Sequence, residues 1–232
     1  LGVAVVTGMF SATAYAGTIT NPLLSGTVII SNGPTNTWQF PSSATYTTNA
    51  DGTYTYENSL NNATWGFVWD ITVDPDPLIS ATLGITNNTS ITKHFDLLFT
   101  LPVGTAFGPS GLMSGSLGAT FQDLNLSGDA TLGNINWSGM IDGAAAMSLF
   151  GGDFTCGGAG CIGSITPVSD GPLSSSGVNS NIGLQLSFDL SAGDRATFNT
   201  SFEVTPIPLP AALWLLGSGV LGLAALVRRR AA

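Results

Sequence analysis

The sequence predicts an all-β fold, an antiparallel β-sandwich of jelly-roll-like form, followed by a single C-terminal transmembrane helix. Three observations predict it. Apolar and polar residues alternate at period two through most of residues 17–205, the signature of strands with one buried and one wet face. Turn-forming clusters such as Asn32-Gly33-Pro34, Asp51-Gly52, Asp74-Pro75-Asp76-Pro77, Gly108-Pro109 and Ser191–Asp194 cut that stretch into short pieces. A charge-free run, Ala211–Val227, lies between prolines and three arginines. The chain therefore divides into residues 1–16, a remnant of a signal peptide; 17–205, the β-domain; and 206–232, a membrane-directed tail.

Leu1–Val6 forms an apolar core and Ala14-Tyr15-Ala16 a small-x-small cleavage pattern, which predicts cutting between Ala16 and Gly17. Thr27–Ser31, Thr37–Phe40 and Thr53–Glu57 are short strand candidates. Longer ones follow. Trp65, Phe67, Trp69, Ile71 and Val73 share one face, as do Ile79, Ala81, Leu83 and Ile85, then Phe95, Leu97, Phe99 and Leu101. In Leu117–Leu126 the apolar parity switches, from Leu117, Ala119 and Phe121 to Leu124 and Leu126, so a bulge or bend is expected near Gln122-Asp123. Ala130–Trp137 reads as another strand, and Ala144–Met147 as the start of a short helix limited by flanking glycines. Ser169–Asn181, rich in Ser, Gly and Pro, reads as a long loop. Leu184, Leu186, Phe188 and Leu190 mark the next strand. The last, Thr197–Val204, has Phe198, Thr200, Phe202 and Val204 on one face and runs straight into Pro206. No fixed-period repeat is visible, which argues against a solenoid.

With a rise of about 1.5 Å per residue, a helix over 211–227 reaches roughly 26 Å, slightly less than a hydrocarbon core of about 30 Å. Trp214 lies near one membrane surface, and Arg228, Arg229 and Arg230 favour a cytoplasmic end. The order Pro208-Leu209-Pro210, apolar helix with Gly217-Ser218-Gly219, then the arginine cluster resembles a PEP-CTERM sorting signal, a tail also labelled an ice-binding-protein C-terminal domain. Leu209 stands where that signature has an acidic residue. The resemblance covers only the tail. It implies an exosortase and the membrane as partners, export through the inner membrane of a Gram-negative-type bacterium, and a tethered precursor. The mature protein would then act at the cell surface or in an exopolysaccharide-associated biofilm matrix.

Composition narrows the chemistry. Only 8% of residues are charged, and the formal net charge is −9. All 14 acidic residues lie between Asp51 and Glu203, where the bases are Lys93 and Arg195, so binding to a phosphate backbone is disfavoured. Cys156 and Cys161 flank a glycine-rich gap that can close as a small disulfide loop in an oxidising compartment. His94, the one histidine, falls beside Asp96 on the outward parity and reads as a solvated surface residue. No Gly-x-Ser-x-Gly elbow accompanies it.

Glu57, Asp70, Asp74, Asp76 and Glu203 are the carboxylates open to glycoside chemistry, but no spacing singles out a pair. Asp74 and Asp76, interleaved with prolines, read as a turn with a weak Ca²⁺ option. The expectation is a protein without catalytic residues, cofactor or metal, in a structural or adhesive role. The rival is a lectin-like module using Trp38, Tyr54 and Tyr56 as candidate sugar contacts, with Tyr46 nearby. Thr18/Thr20, Thr35/Thr37 and Thr53/Thr55 form Thr-x-Thr pairs without the regular ladder that an ice-binding face needs.

Overall fold

Period-two alternation becomes strand throughout the computed structural model, which describes residues 24–31, 36–40, 45–74, 77–104, 106–149 and 151–207. The signal peptide remnant, the Ala16–Gly17 cleavage point, Asp76 and the tail from Pro208, with its helix and arginine cluster, lie outside the described residues. Those residues form fourteen strands and no helix. In chain order they are β1 (Ser25–Ser31), β2 (Asn36–Gln39), β3 (Thr47–Thr48), β4 (Tyr54–Asn61), β5 (Trp65–Asp74), β6 (Leu78–Asn87) and β7 (Lys93–Pro102). There follow β8 (Phe107–Asp123), β9 (Asp129–Ile141), β10 (Ala144–Leu149), β11 (Phe154–Gly157), β12 (Ile162–Val178), β13 (Asn181–Leu190) and β14 (Asp194–Pro206).

All pairings are antiparallel. The first sheet runs β10-β9-β13-β7-β1-β2, with β11 also on β9; the second runs β12-β8-β14-β6-β5-β4-β3. Their apolar faces meet as a β-sandwich. Phe188 of the first sheet lies 4.6 Å from Phe198 of the second, centroid to centroid, and Trp137 lies 6.0 Å from Phe202. Glycines make room for the large rings. A Cβ on Gly115 would fall 2.4 Å from Trp137, and one on Gly139 would fall 2.3 Å from Phe202. Each sheet thus receives an aromatic knob from the other over a position without a side chain. The Trp137 indole donates to Thr200 Oγ1 at 2.6 Å, and Thr200 in turn donates to the Ser116 carbonyl at 2.9 Å, so this buried polar contact is satisfied.

Three local expectations need correction, and a fourth resolves between its alternatives. Ala144–Met147 is not helical but opens β10. Asp142 and Gly143, with φ of 51° and 80°, make a two-residue turn of the type I′ class, which folds the chain back on β9. The Ser169–Asn181 loop is mostly β12, an edge strand that pairs only with β8 and slips register three times along its length. An edge strand needs hydrogen bonds on one side alone, so Pro167, Pro172 and several glycines fit where a central strand would exclude them.

Of the bulge or bend expected near Gln122-Asp123, the structure shows the bend: β8 ends at Asp123 and the chain turns away at Leu124 and Asn125. The Asp123 carboxylate accepts from the N–H groups of Ser127 and Gly128, and Leu124 and Leu126 point outward. A true bulge lies instead in β9, where Ser187 opposes Asn136 but Asp189 opposes Gly133, and Asn134 takes a φ of 49°. His94, finally, is not simply solvated: its side chain is 29% exposed and engaged by two carboxylates.

Candidate functional site

The outward face of the second sheet carries the most organised surface. Thr47, Thr55, Thr72, Ser80, Ser201, Ser116 and Ser169 occupy successive register positions on β3, β4, β5, β6, β14, β8 and β12. One row of hydroxyls therefore crosses the whole sheet at strand spacing, about 4.8 Å per step. Neighbours in the row bond to one another: Thr55 Oγ1 to Thr72 Oγ1 at 3.1 Å, and Ser116 Oγ to Ser201 Oγ at 2.7 Å. The next row places Thr82 beside Asn199, whose Oδ1 accepts from the Thr82 hydroxyl at 3.0 Å.

A groove of about 610 Å³ follows these rows across β6, β14, β8 and β12. Gly118 forms part of its floor, and Pro167 of β12 packs over that position, 3.3 Å from where a Cβ would sit. Sequence reasoning missed the row because each member lies on a different strand. The usable signal was Ser or Thr at the outward position of strand after strand.

Of the carboxylate candidates, Glu57, Asp70, Asp74 and Glu203 lie on the same face. Glu57 and Asp70 oppose each other across β4 and β5, while Asp74 pairs with Leu78, and Leu78 with Glu203. Glu57 and Asp70 are exposed on an open sheet, so they flank no cleft in which a glycosidic bond would be held between them.

The candidate sugar contacts point the other way. Trp38 is half-buried on the inner side of β2, with its ring 5.3 Å from Trp69 and 5.9 Å from both Phe40 and Phe67. Tyr56 is 3% exposed, and Tyr54 and Tyr56 lie 5.4 and 5.6 Å from Tyr46. These rings close one margin of the sandwich. Trp65 and Trp69, read as core, are buried.

On the outward face of the first sheet, β7 and β13 bring together residues far apart in sequence. His94 Nδ1 lies 2.6 Å from Asp189 Oδ1, and His94 Nε2 lies 3.3 Å from Ser187 Oγ. That is the order of a Ser-His-Asp relay, but Nε2 is also 3.2 Å from Asp96 Oδ2, which contests the position a general base must keep for the hydroxyl. Asn134 Nδ2 holds the far oxygen of Asp189 at 2.5 Å. The cluster acts as a polar clasp across β7, β13 and the β9 bulge.

Cys156 and Cys161 are joined, closing the tip between β11 and β12. The Asp123 carboxylate reaches this tip, accepting from Gly160 N at 3.0 Å. Desolvation opposes ionisation of Asp123, yet the N–H groups of Gly160, Gly128 and Ser127 hold its carboxyl below the ordinary range. Asp142 is treated alike. Against desolvation, the N–H groups of Ser180, Asn179 and Asn181 keep it well below the carboxylate range and pin the β9–β10 turn to the β12–β13 turn.

Asp194 is the opposite case. Buried in register with Asp123, it is pushed up by burial and by that neighbouring charge, against the Ser191 hydroxyl that donates to it. Its Oδ1 is buried and accepts no hydrogen bond. The folded state thus holds the Asp194 proton more tightly than the unfolded chain, so its contribution to stability is lost as pH rises past the ordinary carboxylate range. Asp194→Asn should therefore raise Tm by a few degrees at pH 7, with the gain fading towards pH 4. Thermal melts at the two pH values check this, and a loss at both would refute it.

Chemically, the hydroxyl groove can bind a polar, uncharged chain through many weak contacts, and the described residues contain no cluster of three or more His, Cys, Asp or Glu suited to a metal. No family model matches this chain, and no curated protein matches it.

Proposed function

We propose that this is an exported bacterial protein, sorted through its C-terminal tail by an exosortase, which serves a non-catalytic structural or adhesive role at the cell surface or in an exopolysaccharide matrix. The observation that carries the export reading is the closed Cys156–Cys161 disulfide, a bond that persists outside the reducing cytosol. The adhesive role is supported by the broad face of hydroxyl and amide groups on a rigid scaffold. In this reading the sandwich is jelly-roll-like, since the chain passes between sheets at β2–β3, β6–β7, β7–β8, β8–β9, β11–β12, β12–β13 and β13–β14. The segment 211–227 spans the membrane until the tail is processed.

A lectin-like carbohydrate module is the second reading, and the groove across β6, β14, β8 and β12 favours it. Cell fractionation with intact-mass analysis, in hosts with and without the exosortase, tests the proposal. The expected mature species begins at Gly17 and lacks the tail only where the exosortase is present. A tail retained in both hosts would reduce the sorting signal to an ordinary anchor, and a reduced cysteine pair in fractionated material would remove the support for export.

A further inference from the structure

We infer that the groove across β6, β14, β8 and β12 binds a neutral polysaccharide chain, and that Asn199 and Ser201 at its centre are the principal contacts. The inference rests on the matrix reading for where such a chain is met, but the groove carries the chemistry. Two adjoining rows lie within it, Thr82, Asn199 and Gly118, then Ser80, Ser201 and Ser116, with the pair Thr120 and Ser164 beside them. None of these residues is charged, in a chain whose formal net charge is −9.

The charges stand at the rim. Arg195 and Gln122 follow at one end, Glu203 at the other, and Asp70 on β5 beside Thr82. A polyanion would meet the carboxylates of Asp70 and Glu203, with Arg195 as the nearby cation. A cation would find no carboxylate in the trough. A nucleic acid is opposed by the overall charge. What remains complementary is a ligand whose groups, like those of the groove, both donate and accept hydrogen bonds, as sugar hydroxyls do.

The contacts made between neighbouring side chains orient these groups without exhausting them. When Ser116 and Ser201 share one hydrogen bond, acceptor positions and one O–H remain for a ligand. Gly118 keeps that part of the floor free of a side chain, and the Pro167 ring packed over it supplies an apolar wall. The four strands cover about 14 Å from the first to the last, enough for several sugar rings end to end. Each exchange of water for a sugar hydroxyl gains little, about 1 kcal/mol, so a short oligosaccharide binds weakly and a long polymer gains by repetition.

The test uses the full-length chain, oxidised, with neutral hexasaccharides of glucose, galactose, mannose and N-acetylglucosamine, and with polygalacturonate as the anionic counterpart. At least one neutral hexasaccharide should bind in the millimolar range or tighter, with little dependence on salt, and polygalacturonate should bind more weakly. Asn199→Ala combined with Ser201→Ala should weaken binding about fivefold or more. Thr120→Trp, which places a strand-compatible ring in the groove, should abolish it, and Ser138→Ala on the opposite sheet should have no effect.

No binding of any neutral hexasaccharide, tighter binding of polygalacturonate, or binding that survives Asn199→Ala/Ser201→Ala would overturn the assignment. So would loss of binding through Trp38→Ala alone. If Thr120→Trp fails to fold, the alanine pair, checked for an unchanged melt, decides. Should the pair lose no binding while the protein still fractionates with the matrix, the groove assignment fails and the matrix reading stands. Wild-type protein that binds a hexasaccharide but stays in the membrane fraction of both hosts fails the matrix reading and supports the groove.

Discussion

Trp137→Ala should lower the unfolding free energy by about 3–5 kcal/mol, among the largest losses available to a single side chain here. The indole is fully buried. It spans the interface between the sheets, packs over Gly115 and holds the Thr200 hydroxyl. Truncation removes all three contacts and leaves a void that rigid strands on either side cannot close. Urea unfolding curves give the magnitude; a loss below about 1 kcal/mol would show that the two sheets do not depend on this knob.

The glycine beneath supplies a sharper control. Gly115→Leu should destabilise the wild type by overpacking, about 1–3 kcal/mol, yet partly restore the Trp137→Ala variant by filling its void. A substitution whose sign reverses with the state of its neighbour is hard to explain except by direct packing.

Asn87→Asp should cost about 3 kcal/mol at pH 7, through a different mechanism. Asn87 is fully buried at the end of β6. Its Nδ2 donates to the carbonyls of Ile91, Leu190 and Ser191 at 2.8, 3.0 and 3.0 Å, and its Oδ1 accepts from the N–H and hydroxyl of Thr89. One amide therefore fixes the β6–β7 turn and ties the second sheet to the end of β13 in the first. A carboxylate there would turn a negative oxygen towards three carbonyls.

Protonation would return a donor, so the introduced acid should titrate above its unfolded value. Its penalty should be small below the unfolded carboxylate range and grow as pH rises through the folded value. Stability measured at pH 4 and pH 7 tests this directly; an equal loss at both would place the cost in packing instead of charge.

These two residues show what could and could not be read from the chain. Trp137 belongs to a run whose alternation was legible, because burial on one face and water on the other impose period two on any half-buried strand. Asn87 continues the inward parity of Ile79, Ala81, Leu83 and Ile85. A polar residue in phase with a core row is a signal that apolar periodicity overlooks, and Asp123 and Asp194 follow the same rule. Thr200, by contrast, was legible on its buried face, although its partner Trp137 was not, since the partner lies on the other sheet.

Parity switches were visible but ambiguous. The shift after Phe121 is a bend at the end of β8, whereas the bulge between Leu132 and Ile135 interrupts alternation in the same way inside a run read as one unbroken strand. β12 was illegible for a different reason. Its pairing relies on backbone groups facing β8, and its largely exposed side chains keep no apolar rhythm. The groove was invisible for the same reason that sheets are stable. Its members are neighbours across strands, not along them, and only the register brings Ser80, Ser201 and Ser116 side by side.

β14 has one further consequence. It lies between β8 and β6, paired over Asp194–Pro206 on one flank and Arg195–Glu203 on the other, and the chain continues from its end into Ile207. A pull applied beyond Ile207 would therefore load a central strand along its length. Hydrogen bonds on both flanks would have to shear together instead of unzipping one at a time, and the load would spread across the second sheet. The point at which the tail departs gives the sandwich mechanical resistance to traction from that end.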